Sequence, residues 1–226
     1  MAWQGGRAAL VAPGPSRDMI PDLRARLAGY DVRIGIAEAL LGMEPGELDA
    51  LTLFDPKAIP KIQPALDRHL PYLKIFGTEQ LRRFPGLDPV IVTFERELHA
   101  GSLGMALQLC RALGFASLDL FGVDLCWRGS ERVQECKYAP SVMAELGQEL
   151  YDSYSIEPAH YPGEDSLRSP HDLFTDQPFS KQARVVDRAY EEGAFEPMQI
   201  LNWSPISQLR AIPIAPEALD FRPPRP

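Results

Sequence analysis

Small and polar residues that can bind an anion follow several apolar runs of this 226-residue sequence. The candidates are Gly14, Pro15, Ser16, Gly101, Ser102, Asp124, Asn202 and Ser204. Glycine lets a backbone approach a phosphate closely, serine supplies a hydroxyl, and the N–H groups at a helix N-terminus complete an anion cradle. The spacing matches neither GxGxxG nor GxxxxGKS/T, so it supports neither a standard dinucleotide-binding fold nor a P-loop kinase.

The elements that would position these residues follow from the pattern of apolar runs. Candidate strands are residues 8–12, 32–37, 51–55, 73–76, 90–94, 115–124 and 198–202. Candidate helices are residues 21–29, 101–113, 140–150 and 179–192, with Gly114 as the expected stop of the second. This order predicts an α/β fold with a Rossmann-like, doubly wound, mostly parallel sheet. Ligands of such sheets bind outside the carboxyl ends of the strands, where the candidate residues fall.

Length and composition indicate how the chain is divided. Hydrophobic residues make up 45% and charged residues 24% of the sequence, which is typical of globular chains. We expect a single Rossmann-like domain over residues 1–220. A polar, loop-rich stretch at about residues 126–177 predicts a lid over the ligand site. A proline-rich tail is expected at residues 221–226.

Charge and cysteine content exclude several classes of function. The 23 basic and 31 acidic side chains give a net charge of −8, so broad electrostatic binding of nucleic acid is not expected. Three cysteines without CxxC spacing indicate neither a disulfide framework nor a zinc site. The first residues lack a basic stretch followed by a long apolar run, so a secretion signal is not expected, and no run approaches the ~18 apolar residues that span a bilayer. We therefore expect a cytoplasmic protein without a membrane span, and leave homo-oligomer formation open.

Three stretches resemble a known superfamily. Residues 11–16 resemble the glycine-proline-serine loop of bacterial sialyltransferases that use CMP-activated sugars. Residues 101–124 are similar to the central helix and strand of those enzymes, of the flagellin motility-accessory glycosyltransferases and of the archaeal-type hydroxymethylpterin diphosphokinases. Residues 201–209 resemble the late strand and Asn/Ser turn. The resemblance implies a glycosyltransferase that moves a sugar from a nucleotide-sugar donor, a CMP-sugar, to a glycan or protein acceptor on a surface structure.

The resemblance also implies roles for individual residues. The loop Gly14, Pro15 and Ser16, together with Gly101 and Ser102, would hold the phosphates and ribose beside Asp124, while Asn202 and Ser204 would reach the base or sugar. His171 would act as the general base, and Asp172 would orient it. His160 is the competing base, whereas His69 and His99 are expected on the surface. Sugar transfer of this kind would require no metal or other cofactor.

Two alternatives remain open from the sequence. In a magnesium-dependent diphosphokinase, Asp55 and Asp124, with Asp172 or Asp176, would hold the Mg²⁺ that bridges ATP phosphates. The other alternative is a catalytically silent nucleotide-binding or assembly module of the same fold. Two departures from the sialyltransferases argue for this second alternative: residues 12–13 are Ala-Pro where those enzymes carry Gly-Asn, and their paired tyrosines have no match after Asp124.

Overall fold

A seven-stranded sheet forms the centre of the molecule, and the computed structural model describes residues 3–125, 139–146 and 179–221. The strands are β1 (Arg7–Val11), β2 (Val32–Ile36), β3 (Ala50–Leu53), β4 (Lys74–Gly77), β5 (Val90–Ile91), β6 (Ser117–Phe121) and β7 (Gln199–Asn202). Their order across the sheet is β5-β4-β3-β2-β1-β6-β7. Every neighbouring pair is parallel, so the predicted α/β, doubly wound fold class is confirmed.

The described helices lie between the strands along the chain. They are α1 (Leu23–Leu27), α2 (Ile59–His69), α3 (Gly101–Leu113), α4 (Pro140–Leu146) and α5 (Phe179–Glu191). Short 3₁₀ helices follow the first three strands at Pro15–Met19, Ala37–Leu40 and Pro56–Ala58. Each described helix is too short or too polar to cross a bilayer.

The strand order reverses at β1, which lies between β2 and β6. Residues 8–11 of β1 are completely buried, as the continuous apolar run predicts for a strand covered on both faces. The chain builds β2 to β5 on one side of β1 and then returns to place β6 and β7 on the other. Loops that leave β1 and β6 therefore run in opposite directions, which opens a crevice at the carboxyl edge of the sheet.

Helix α3 begins at this crevice and packs against β2 and β3. Its buried side includes Leu103, Ala106 and Cys110, whose spacing places them along one face. Gly114 follows the helix with φ of 78°, the left-handed conformation expected at that stop. Ala112 is exposed because it lies on the opposite side of the helix from this face.

Several strands are shorter than predicted, among them β3 and β5, and part of the prediction lies outside the described residues. Strand β5 has two residues instead of five because it pairs with β4 only through Phe76↔Val90 and Gly77↔Ile91. Strand β3 ends before Asp55, whose side chain accepts a hydrogen bond from the Lys57 N–H and caps the next 3₁₀ helix. Only residues 139–146 of the predicted lid are described, and the tail beyond Phe221 is not.

Candidate functional site

A cavity of about 730 Å³ lies at the carboxyl edge of the sheet. Its wall combines residues that follow β1 to β6 with the first turn of α3 and Gln182 of α5. This volume is within the range of roughly 300–1,000 Å³ that is typical of small-molecule sites. Four of the predicted ligand-binding residues line it, namely Gly14, Gly101, Ser102 and Asp124.

Asp124 joins the loops that follow β1, β6 and β7. One of its carboxylate oxygens accepts a hydrogen bond of 2.8 Å from the Ser16 backbone N–H. The other oxygen accepts hydrogen bonds from the hydroxyls of Ser16 and Ser204. Asp124 is 3% exposed and both serines are completely buried, so water does not compete for these bonds. The network fixes three loops of the crevice relative to one another.

Gly14 allows the loop after β1 to reach the loop after β6. Its backbone N–H donates a 3.0 Å hydrogen bond to the Gly122 carbonyl. A Cβ at position 14 would lie 2.3 Å from that carbonyl oxygen and 2.5 Å from a carboxylate oxygen of Asp124. Both distances are far below van der Waals contact, so only glycine fits here without moving the backbone.

The first turn of α3 presents small residues to the cavity. Gly101 has φ of 58°, and the preceding residue, Ala100, has no side-chain oxygen that could cap the helix. The Ser102 hydroxyl accepts a 3.4 Å hydrogen bond from the Phe54 N–H. A helix N-terminus that carries positive partial charge and little side-chain bulk favours an anionic ligand.

The remaining predicted residues support the wall from behind or lie outside the described residues. Pro15, Ser16, Asn202 and Ser204 are not part of the cavity wall, and the last three are completely buried. Asn202 accepts a 3.1 Å hydrogen bond from the Ser204 N–H, while its amide Nδ2 has no hydrogen-bond partner among the described residues. His171 and Asp172 are not described, and their roles stay predictions.

Part of the predicted lid is anchored on the loop after β1. The Ala139 N–H donates a 2.7 Å hydrogen bond to the Pro13 carbonyl. Ser141 donates to both carboxylate oxygens of Asp18, from its N–H at 2.7 Å and from its hydroxyl at 2.6 Å. Helix α4 is therefore attached next to Gly14, which ties residues on either side of the undescribed stretch 126–138 to one corner of the crevice.

The cavity wall also contains charged residues that the sequence analysis missed. Glu38 follows β2 and Lys61 belongs to α2, and their carboxylate and ammonium groups are 3.4 Å apart. The two residues are 9% and 5% exposed, respectively. Lys61 shares a face of α2 with the buried residues Ala65 and His69, because they follow it by four and eight positions. A lysine on an otherwise buried helix face is the signal that could have revealed this pair.

Histidine placement differs from expectation at one of two positions. His69 was expected on the surface but is completely buried on α2, where its Nε2 is 3.1 Å from the Met43 carbonyl. Burial lowers its pKa below the usual value. His99 is exposed, as expected, but it lines the cavity just before α3. The burial of His69 could not be predicted from local sequence, because its contact Met43 lies 26 residues away in the chain.

The described acidic residues do not favour the magnesium alternative. Asp55 accepts a 2.9 Å hydrogen bond from the Lys57 N–H, and Asp124 accepts bonds from two serines through both oxygens. Within residues 3–125, 139–146 and 179–221, no three or more His, Cys, Asp or Glu side chains cluster as metal ligands would. Asp172 and Asp176 lie outside these ranges.

The parallel sheet and its crevice define a Rossmann-like α/β protein. No protein-family model and no curated protein matches the chain. Among solved structures, the MAf glycosyltransferase from Magnetospirillum magneticum AMB-1 has a similar fold, with a TM-score of 0.58 and 15% sequence identity. The match covers 98% of this chain and 35% of that one. At this identity it shows the fold, and it agrees with one of the three groups that the sequence resembles.

Proposed function

We propose that this chain is a glycosyltransferase that takes a sugar from a nucleotide-sugar donor, a CMP-sugar, and transfers it to a glycan or protein acceptor. The observation that carries the proposal is the cavity at the strand reversal, in a fold shared with a solved glycosyltransferase. Such crevices are where open α/β sheets bind nucleotides. The cavity volume of about 730 Å³ is sufficient for a nucleotide-sized ligand.

The donor phosphate binds between Gly14 and the first turn of α3 in this proposal. Gly14, Gly101 and Ser102 leave backbone close to the cavity, and Ser102 adds a hydroxyl. Ser16 and Ser204 act as positioning residues, because they hold the Asp124 carboxylate that joins the loops. Asn202, with an unpartnered Nδ2 among the described residues, is proposed to contact the base or sugar after a local adjustment.

Catalysis in this proposal is proton removal from the acceptor. A histidine takes the hydroxyl proton while the acceptor oxygen bonds to the anomeric carbon of the sugar. The bond between that carbon and the phosphate oxygen breaks, and the nucleotide leaves with the electron pair. His171, oriented by Asp172, is the proposed base, and His99 is the competitor because it lines the cavity. No metal or cofactor takes part in this scheme.

Thermal unfolding with different ligands tests the proposed donor. CMP and CMP-sialic acid should raise the melting temperature without added metal. Stabilisation by UDP-sugars alone would retain sugar transfer but contradict the CMP assignment. Stabilisation by ATP only with Mg²⁺ would favour the diphosphokinase, and no shift with any nucleotide would contradict both enzyme hypotheses.

Turnover of histidine variants tests the base. His171→Ala should abolish sugar transfer and leave CMP affinity unchanged, because the base contacts the acceptor side. His99→Ala is the matched variant, and it should retain turnover. If His99→Ala is inactive and His171→Ala is active, the base is His99.

A further inference from the structure

Glu38 and Lys61 form a buried ion pair at positions where the local structure disfavours such a pair. Lys61 is the third residue of α2, where the positive end of the helix dipole disfavours a cation. Glu38 follows Ala37, which has φ of 46° although it is not glycine. A buried ion pair is seldom more stable than an apolar pair of the same size. Three energetically unfavourable features thus occur at one polar pair in the cavity wall. This indicates that the pair has a role in ligand binding.

The position of Glu38, just beyond β2, indicates which part of a bound ligand it can contact. Val11 of β1 pairs with Gly35 of β2, so Gly14 and Glu38 each lie three residues beyond a matched pair. They therefore leave the sheet at the same level, on neighbouring strands. In Rossmann-type sheets, an acidic residue after the second strand, about 20 residues beyond the glycine loop, accepts hydrogen bonds from ribose hydroxyls. This chain has no GxGxxG signal, but the register places a carboxylate at the equivalent point.

We propose that Glu38 accepts hydrogen bonds from the ribose 2′- and 3′-hydroxyls of a bound ribonucleotide. In this proposal, Lys61 holds the Glu38 carboxylate in place and neutralises its charge. The inference rests on the proposed function for the presence of a nucleotide and adds the residue that selects ribose over deoxyribose. An unneutralised Glu38 would repel the nearby phosphate, and the Lys61 ammonium at 3.4 Å cancels that charge. Lys61 is thus a positioning residue.

Calorimetric titration with paired nucleotides tests the inference. The probes are CMP, UMP and AMP, each compared with its 2′-deoxy form, so the result does not depend on the base. The wild-type protein should bind its preferred ribonucleotide about tenfold more tightly than the deoxy form, the value of one charge-assisted hydrogen bond. Glu38→Gln should reduce this ratio to less than about threefold.

Variants of Lys61 separate its positioning role from the ribose-binding role of Glu38. Lys61→Met should weaken binding of ribo- and deoxyribonucleotide alike, because it removes the Lys61 ammonium that lies 3.4 Å from the Glu38 carboxylate. The double variant Glu38→Leu/Lys61→Met should fold with an unchanged melting temperature and lack the ribose preference. Matched controls are Glu192→Gln, from an exposed ion pair at the end of α5, and Lys74→Met, at the start of β4. Both controls should keep the wild-type ratio.

Several outcomes would overturn the inference. They are equal wild-type affinity for ribo- and deoxyribonucleotides, an unchanged ratio in Glu38→Gln, and a lower melting temperature of that variant with the ratio preserved. An effect of Glu38→Gln on CMP-sialic acid but not on CMP would move the contact to the transferred sugar and also reject the ribose assignment. Absence of binding by every nucleotide would instead reject the proposed function itself.

Discussion

Residues with ligand-binding chemistry divide, in this structure, into those that form the cavity wall and those that hold it in place. Gly101 and Ser102 belong to the wall, whereas Ser16 and Ser204 are buried behind it and donate to Asp124. Asp124 belongs to both groups, because it lines the cavity and accepts hydrogen bonds from two loops. The same residue types can thus serve binding or support, and the partner of each side chain decides which.

Asp124→Ala should destabilise the fold by about 3 kcal/mol, because it leaves buried donors of Ser16 and Ser204 without their acceptor. Urea denaturation gives the free energy of unfolding for this comparison. The control is Asp220→Ala, which removes an exposed carboxylate and should change stability by less than about 0.5 kcal/mol. Equal stability of the two variants would mean that the Asp124 network contributes little.

His69 should make stability depend on pH. Its pKa in the folded protein is lowered from 6.5 by burial, so the unfolded chain binds more protons than the folded one in acid. The free energy of unfolding therefore falls as the pH drops below about 6.5, by at most about 1.4 kcal/mol per pH unit from this group. His69→Gln removes this contribution and should flatten the dependence between about pH 7 and 5.

His99→Gln is the matched control for that experiment, since His99 is exposed. It should leave the wild-type pH dependence unchanged, as measured by denaturant unfolding at each pH. If the free energy of unfolding of His69→Gln depends on pH as steeply as that of the wild-type protein, groups other than His69 cause the loss of stability in acid.

At the scale of elements, the packing of α3 against the sheet determines the chemistry of its cysteine. Cys110 is completely buried, and burial raises the pKa of its thiol to about 12. In a Cys126→Ser/Cys136→Ser background, Cys110 should resist iodoacetamide at about pH 8 until denaturant is added, because the thiolate is the reactive form. Ala112→Cys, at an exposed position of the same helix, should react at once in the folded protein. Rapid native labelling of Cys110 would indicate that α3 opens.

The elements were largely predictable, and the site only in part. Continuous apolar runs gave the seven strands, and Gly114 gave the end of α3, because both signals are local. The bonds from Ser16 and Ser204 to Asp124 span 108 and 80 residues, and nothing in the sequence encodes such distances. The pair of Glu38 and Lys61 was missed because a lysine within a helix is usually solvated.

At the scale of the whole molecule, the net charge of −8 opposes any anionic ligand. The proposed donor is an anion, so its binding has to rely on short-range groups such as the backbone N–H groups of the first turn of α3, beside Gly101. Attraction within a cavity is screened far less by salt than repulsion between the ligand and the exposed surface charges. The two contributions therefore respond differently to ionic strength.

Raising the salt concentration should thus leave the affinity for CMP unchanged or increase it. The Debye length shrinks from about 30 Å at 0.01 M to about 8 Å at 0.15 M ionic strength, which removes the long-range repulsion. Calorimetric titration at both concentrations measures the effect, and uncharged cytidine serves as the ligand control. A protein that captured the donor with an exposed basic patch would lose affinity instead. A tenfold or greater loss for CMP, with cytidine unaffected, would locate the phosphate on exposed cations and contradict the glycine-lined cradle.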